Sequence, residues 1–320
     1  MVSDSANGLH PDDIVLPFQV GEAAVRGRVV RLGGAIDEIL TRHDFPEPVS
    51  HLLGEAAAFT AMMGAALKFD GKLIFQAQGD GPVSMIAADY DASGALRATA
   101  SLAGETVLSG EGARALLGSG HMAMTFDQGP DMERYQGVTA LDGETLAEAA
   151  VAYFDQSEQI PTAVRLAVGR IARPGEGEVW RAGGIIAQFM PGEGGGRERG
   201  EAALAGAEDR EIWDRAAAFL QTAQADELLD PNLRPEDLLY RLYHEDGVRV
   251  FGAKPVRASC GCNAEKISAV LSRYSEDDLA AMVEDGAIRV TCEFCRTDYL
   301  FAPDGQPVEA PHLAGKEAWV

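Results

Sequence analysis

Cys260-Gly-Cys262 and, further on, Val290-Thr-Cys292-Glu-Phe-Cys295 are the stretches that decide how this chain is organised. They hold all four cysteines of the 320 residues. Two closely spaced pairs separated by a folded segment follow the ligand logic of a tetrahedral zinc site. Between them, residues 264–273 read as a helix, and Ser275-Glu-Asp-Asp278 is a capping-type start for a second helix ending at Gly286. Residues 288–291 and 299–301 read as strands flanking the second pair, so both of its sulfurs can sit on one side of a tight turn. A unit of about 50 residues is too small for an apolar core alone to hold it. Structural zinc, at roughly 10–16 kcal/mol in zinc-finger peptides, would supply the missing stability. The expectation is a small C-terminal zinc-binding α+β domain over 253–301, followed by a loose tail over 302–320. One Zn2+ per chain would sit on Cys260, Cys262, Cys292 and Cys295. His244 and His312 are near in sequence, but four sulfurs already fill a tetrahedron.

A purely structural zinc ribbon is the commoner use of such a site. The Cys-x-Cys spacing shifts the balance. Zinc requires thiolates, which are oxidisable. A bond between Cys260 and Cys262 would close a very short, strained and easily reduced ring, which suits a reversible signal.

Upstream, residues 201–252 read as a helical connector. One helix over 209–226 carries Trp213, Phe219 and Leu220 along an apolar stripe, and a second over 235–244 carries Leu238, Leu239, Leu242 and Tyr243. Pro235 followed by two acids is a good helix start. Residues 191–200 are Gly-rich, charged and aperiodic, as a flexible insertion would be. Before it, residues 1–200 read as an α+β core domain. An Ala-rich helix over 51–67 is apolar on more than one face and therefore well buried. Strand-like runs follow at 73–78, 83–90, 96–101, 122–126 and 164–168, with a helix over 142–157. The turn signals Gly79-Asp-Gly-Pro82 and Asp91-Ala-Ser-Gly94 separate several of them. A mixed, largely antiparallel sheet with packed helices fits this order better than βαβ alternation.

The formal charge of −23 repels phosphate backbones and argues against nucleic-acid partners. The N-terminal residues lack a basic segment followed by an apolar one, and no window approaches a membrane span. A cytoplasmic protein with reduced thiols is the expectation. No G-x-S-x-G, P-loop, H-E-x-x-H or G-x-G-x-x-G occurs, so no catalytic set emerges and the chain does not read as an enzyme.

The cysteine constellation resembles the zinc-centre signature of the redox-regulated 33 kDa heat-shock chaperone family, also called 33 kDa chaperonins. Gly54-Glu-Ala in the buried helix, Gln76-Ala-Gln-Gly-Asp-Gly-Pro82 and the order of domains extend the resemblance over nearly the full chain. It implies an ATP-independent holding chaperone, inactive while zinc is held by the four cysteines. Oxidants would link Cys260 to Cys262 and Cys292 to Cys295 and expel the metal. The zinc domain and connector would then unfold, the chain would form a homodimer, and the connector stripe (Trp213, Phe219, Leu220, Leu238, Leu239, Leu242, Tyr243) would hold unfolding clients. Two departures stand out: Ala258 where the family typically has an aromatic residue, which would loosen packing around the metal, and the Gly-rich 191–200 segment. Two other classes remain open, a thiol–disulfide oxidoreductase using Cys292 and Cys295 and a structural zinc-ribbon binding module.

Overall fold

A computed structural model describes residues 12–308 apart from 22–23, 68–69, 105–109, 130–131, 133, 174, 176 and 191–198. The chain divides into two compact units, Met1–Ala258 and Ser259–Val320.

The first unit opens with an antiparallel hairpin of β1 (Ile14–Val20) and β2 (Val25–Leu32). Helix α1 (Gly34–His43) follows at once, because the Asp13 carboxylate accepts from the Gly33 and Ala35 N–H groups at 2.8 and 3.1 Å. Helix α2 (Glu47–Gly64) begins with a proline in its first turn and buries Leu52, Leu53, Ala56, Ala57, Phe59 and Met62 around its circumference. Next come β3 (Lys72–Gly79), β4 (Val83–Asp91), β5 (Ala95–Leu102), the short α3 (Ala113–Leu117), β6 (Gly120–Asp127) and β7 (Tyr135–Ala140). Asp91 closes the β4–β5 turn by accepting from Ser93 N at 2.9 Å. Helix α4 (Leu146–Tyr153) is capped by Thr145, which accepts from Glu148 N at 3.2 Å, and widens into a looser turn at Phe154–Glu158. A long hairpin of β8 (Thr162–Arg173) and β9 (Gly177–Phe189) leads to α5 (Arg199–Leu220), α6 (Ala225–Leu229) and α7 (Pro235–Tyr243). The short strands β10 (Val248–Val250), β11 (Lys254–Pro255) and β12 (Arg257–Ala258) end the unit.

These strands form two sheets. One runs β10-β1-β2-β9-β8 with β11 also on β1, and the other runs β12-β5-β4-β3-β6-β7. Every pairing is antiparallel except β12 with β5. Helix α2 packs against strands of both sheets, which is why it is apolar all round. Its core joins Val30, Leu32 and Ile186 of the first sheet to Leu73, Phe75 and Leu96 of the second. Gly54 lets α2 come close to β8, since a Cβ there would lie 2.8 Å from Val168. The other face of the first sheet carries a second core, where Phe18, Val25, Val29 and Ile185 meet α5, α6 and α7.

The second unit holds α8 (Ala264–Leu271), α9 (Glu276–Ala281), and the antiparallel strands β13 (Val283–Glu284), β14 (Ala287–Thr291) and β15 (Asp298–Phe301). Asn263 caps α8, and Ser275 with Asp278 forms a reciprocal capping box on α9.

The α+β class and its largely antiparallel sheets stand as expected, but several details differ. The strand expected at 164–168 extends over Thr162–Arg173, and its partner β9 carries no clear strand signal because Gly183-Gly184 interrupts its apolar run. Strands β1, β2 and β7 and helix α1 add to the expected elements. The helix expected over 209–226 breaks after Leu220 into α5 and α6. Of the Gly-rich segment, 191–198 lies outside the described residues, whereas Arg199 and Gly200 already belong to α5. The second C-terminal helix stops at Ala281 rather than Gly286. Asp285 and Gly286, both at positive φ (51° and 84°), instead form the tight turn of a β13–β14 hairpin. Residues 302–308 are not loose: Val308 N donates to Leu300 O at 3.0 Å and folds the chain back on β15. Residues 309–320 lie outside the described residues.

Two boundaries move. The expected connector over 201–252 packs on the first sheet as part of the first unit, and the break falls after Ala258 rather than at 252. Pairing explains the shift: β11 bonds to β1, and Ala258 lies opposite Leu96 of β5. Ala258 therefore packs against the first unit's core, which corrects its expected role beside the metal.

Candidate metal centre and client-binding elements

The four cysteines come together in the second unit. Each offers one sulfur, and the four Sγ atoms all lie within 4.8 Å of one another. Cys260 Sγ is 3.8 Å from Cys292 Sγ, and Cys262 Sγ is 3.3 Å from Cys295 Sγ. A tetrahedron with zinc–sulfur bonds of about 2.3 Å has edges of about 3.8 Å, so the set fits such an ion. Local backbone explains the arrangement. Cys260-Gly-Cys262 leads directly into the Asn263 cap of α8, where the Asn263 side chain accepts from Lys266 N at 2.8 Å. Cys292 and Cys295 lie on the β14–β15 turn, closed by Cys292 N to Thr297 O at 2.9 Å and Arg296 N to Cys292 O at 2.8 Å. Arg296 takes a left-handed conformation with φ 57°, which turns both sulfurs to one side.

Neighbours that sequence spacing did not single out also touch the sulfurs. Tyr299 OH is 3.2 Å from Cys262 Sγ and donates to Cys262 O at 3.3 Å; Thr297 Oγ1 is 3.3 Å from Cys295 Sγ. The Cys260 thiol, and then Thr297, hold Cys295 below the ordinary thiol range. Burial pushes Cys262 up, and burial followed by its contact with Cys262 raises Tyr299. The cluster is thus electrostatically uneven before any ion is bound. Among the described residues, Cys292 and Cys295 lie on a strand–strand turn and neither opens a helix of its own, the position from which a dipole usually activates a Cys-x-x-Cys thiol.

The connector residues expected to hold clients after oxidation lie covered in this structure. Trp213, Leu220, Leu238, Leu239, Leu242 and Tyr243 are buried against the first sheet, with Phe219 partly buried beside them. Tyr243 stacks on Phe18 with ring centroids 5.6 Å apart. Two buried arginines of the sheet then fasten the end of α6. Arg181 donates to Leu229 O at 2.8 Å, and Arg31 donates to Asp230 O at 2.5 Å and to Leu233 O. Arg181 is itself held by a bidentate pair with Asp12 at 2.5 and 2.6 Å. Nothing in the local sequence marks these arginines, because each partner lies far along the chain.

Fold and site together define a two-unit α+β protein whose smaller unit is organised around four clustered thiols, and whose larger unit covers one sheet with helices. A model of the Hsp33 protein family matches residues 13–302, and the chain belongs to that chaperone family. It is 50% identical over 301 residues to a 33 kDa chaperonin of Caulobacter vibrioides, covering 92% of this chain and 96% of the relative. A 33 kDa chaperonin of Shewanella loihica is 37% identical over 300 residues, covering 93% and 95%. The fold matches the crystal structure of the Thermotoga maritima 33 kDa chaperonin, a heat shock protein 33 homologue, with a TM-score of 0.75 at 22% identity, covering 92% and 96% of the two chains. No helix among the described residues is long and apolar enough to cross a membrane.

Proposed function

We propose that this protein is a redox-regulated, ATP-independent holding chaperone of the cytoplasm that binds unfolding proteins under oxidative and heat stress. The observation that carries the reading is the convergence of four thiols in a unit whose buried apolar cluster, among the described residues, is Leu271, Leu279, Ile288 and Phe301. So small a core leaves folding dependent on the ligand set. Zinc, when bound by Cys260, Cys262, Cys292 and Cys295, would keep the sulfurs as thiolates and cross-link the Cys260-Gly-Cys262 segment to the β14–β15 turn.

Oxidation acts on the sulfurs themselves. Each pair, Cys260 with Cys262 and Cys292 with Cys295, gives up two electrons to an oxidant such as peroxide, which is reduced to water. One S–S bond forms per pair. Disulfide sulfur carries no negative charge and is a poor ligand, so the cross-link is lost and the second unit loosens. The apolar faces of α5 and α7, now buried on Phe18 and Ile185, are the surface a client would need after release. Association of two activated chains through the same faces belongs to this reading.

Zinc content, thiol titration and client light scattering, measured before and after peroxide at elevated temperature, test it. About one zinc per chain should leave as four thiols disappear, and aggregation should be suppressed only afterwards. Equal suppression by the reduced, zinc-loaded protein would overturn the switch.

A further inference from the structure

We infer that the open edge of β8 is a docking groove for an extended peptide strand carrying a lysine or arginine, with Glu55 as the acidic receptor for that side chain. This deepens the client-holding reading and rests on it for the biological occupant.

The edge itself comes first. Among the described residues, strand β8 ends its sheet and pairs with β9 alone. Phe189 N donates to Pro161 O at 2.9 Å, which sets the phase of the antiparallel ladder. From Pro161 onward, alternate residues bond to β9, so Thr162, Val164 and Leu166 direct their N–H and C=O groups away from it. No described residue outside the ladder bonds to these main-chain groups. An unpaired edge of this kind is a template for strand addition.

That stretch of edge lines a cleft of about 650 Å³, with Thr162, Val164 and Leu166 on its wall. Glu148 and Val151 of α4 border it on one side, with Asp155 of the looser turn that follows, and Trp213 of α5 borders it on the other, with Gln221 just past the end of that helix. Side chains of an added strand would alternate between these two sides. One set would face Glu55 and α4, on the side of Val164 and Leu166; the other would face Arg165, Trp213 and α5.

Glu55 decides the chemistry. Among the described residues its carboxylate has no hydrogen bond or ion pair, although α2 is otherwise apolar here. Burial pushes its carboxyl up to about 7. An uncompensated acid in an apolar-walled groove is complementary to a cationic side chain that brings its own charge. Glu148 and Asp155 add negative charge on the same side.

The test uses the full-length protein and fluorescence anisotropy of a labelled Val/Thr peptide of strand length, about six residues, with one central lysine. Comparison peptides replace lysine by norleucine or methylate alternate backbone nitrogens. The lysine peptide should bind about tenfold more tightly than the norleucine one. Glu55→Gln should erase that difference without weakening the norleucine peptide, which also shows that the variant is folded. N-methylation should abolish binding. Lysine and norleucine peptides of equal affinity, equal weakening of both by Glu55→Gln, or indifference to N-methylation would each overturn the groove. Aggregation suppression without peptide discrimination would sink the groove alone, whereas peptide discrimination without suppression would sink only the holding reading.

Discussion

Cys260, Cys262, Cys292 and Cys295 converge because two local devices aim them: the Asn263 cap that ends the first pair, and the left-handed Arg296 that turns the second. Replacing Cys295 by Ser should therefore abolish stoichiometric zinc, and metal analysis of the purified variant checks this. Thr297 is a subtler case, since its hydroxyl helps to hold the Cys295 thiol low. Glu55 carries a different cost. Its carboxyl is pushed from an ordinary 4.5 up to about 7 by burial. A raised carboxyl favours the folded state only while protonated, so that contribution is complete below about pH 4.5 and lost as pH rises through about 7. Glu55→Gln should match the parent in acid and exceed it above pH 7, by at most ~3 kcal/mol. Thermal melts at pH 5 and pH 8 read the difference, and an equal effect at both would contradict it.

Among the elements, α5, α6 and α7 are held by two kinds of force. Leu239 and Tyr243 are wholly buried on the first sheet, and removing so large a side chain costs about 2–5 kcal/mol. Leu239→Ala should thus release the connector at a lower oxidant dose or temperature, seen as earlier bis-ANS binding. The Arg181–Asp12 pair supplies direction instead. Arg181→Met removes the bidentate partner of Asp12, which keeps its ion pair with Arg31 at 3.3 Å, and takes this donor from Leu229 O, a loss of about 1–3 kcal/mol. Protease cleavage within α6 should accelerate in that variant, while zinc content stays unchanged because the cysteines belong to the other unit. The linear sequence marks the stripes on α5 and α7 and no more of this arrangement. Which way they faced could not be read, because an apolar stripe reports burial of some kind without naming its partner.

For the molecule as a whole, the division after Ala258 separates a unit with two extensive cores from one whose buried cluster, among the described residues, is four side chains. Their stabilities should differ accordingly. Treatment with a chelator under mild oxidation should erase amide-exchange protection in α8, α9 and β14–β15 and leave β3, β4 and β9 protected. Simultaneous loss in both units would contradict independent stability. The charge of −23 makes like chains repel one another, so raising salt after oxidation should promote self-association, measurable by sedimentation.

Cysteine spacing, capping residues and turn signals act over a few residues, and those features were legible directly: the paired thiols, the Ser275 start of α9, the Asp91 turn and the all-round apolar α2. The family resemblance came from the same local motifs. Tertiary structure alone decided that β9 pairs with β8 and β2, that the connector lies on the first sheet, that the unit boundary follows Ala258, and that Glu55 stands beside an open edge. Each of these depends on contacts between residues far apart in the chain, and a linear pattern records only that a residue is apolar or charged, not what it will meet.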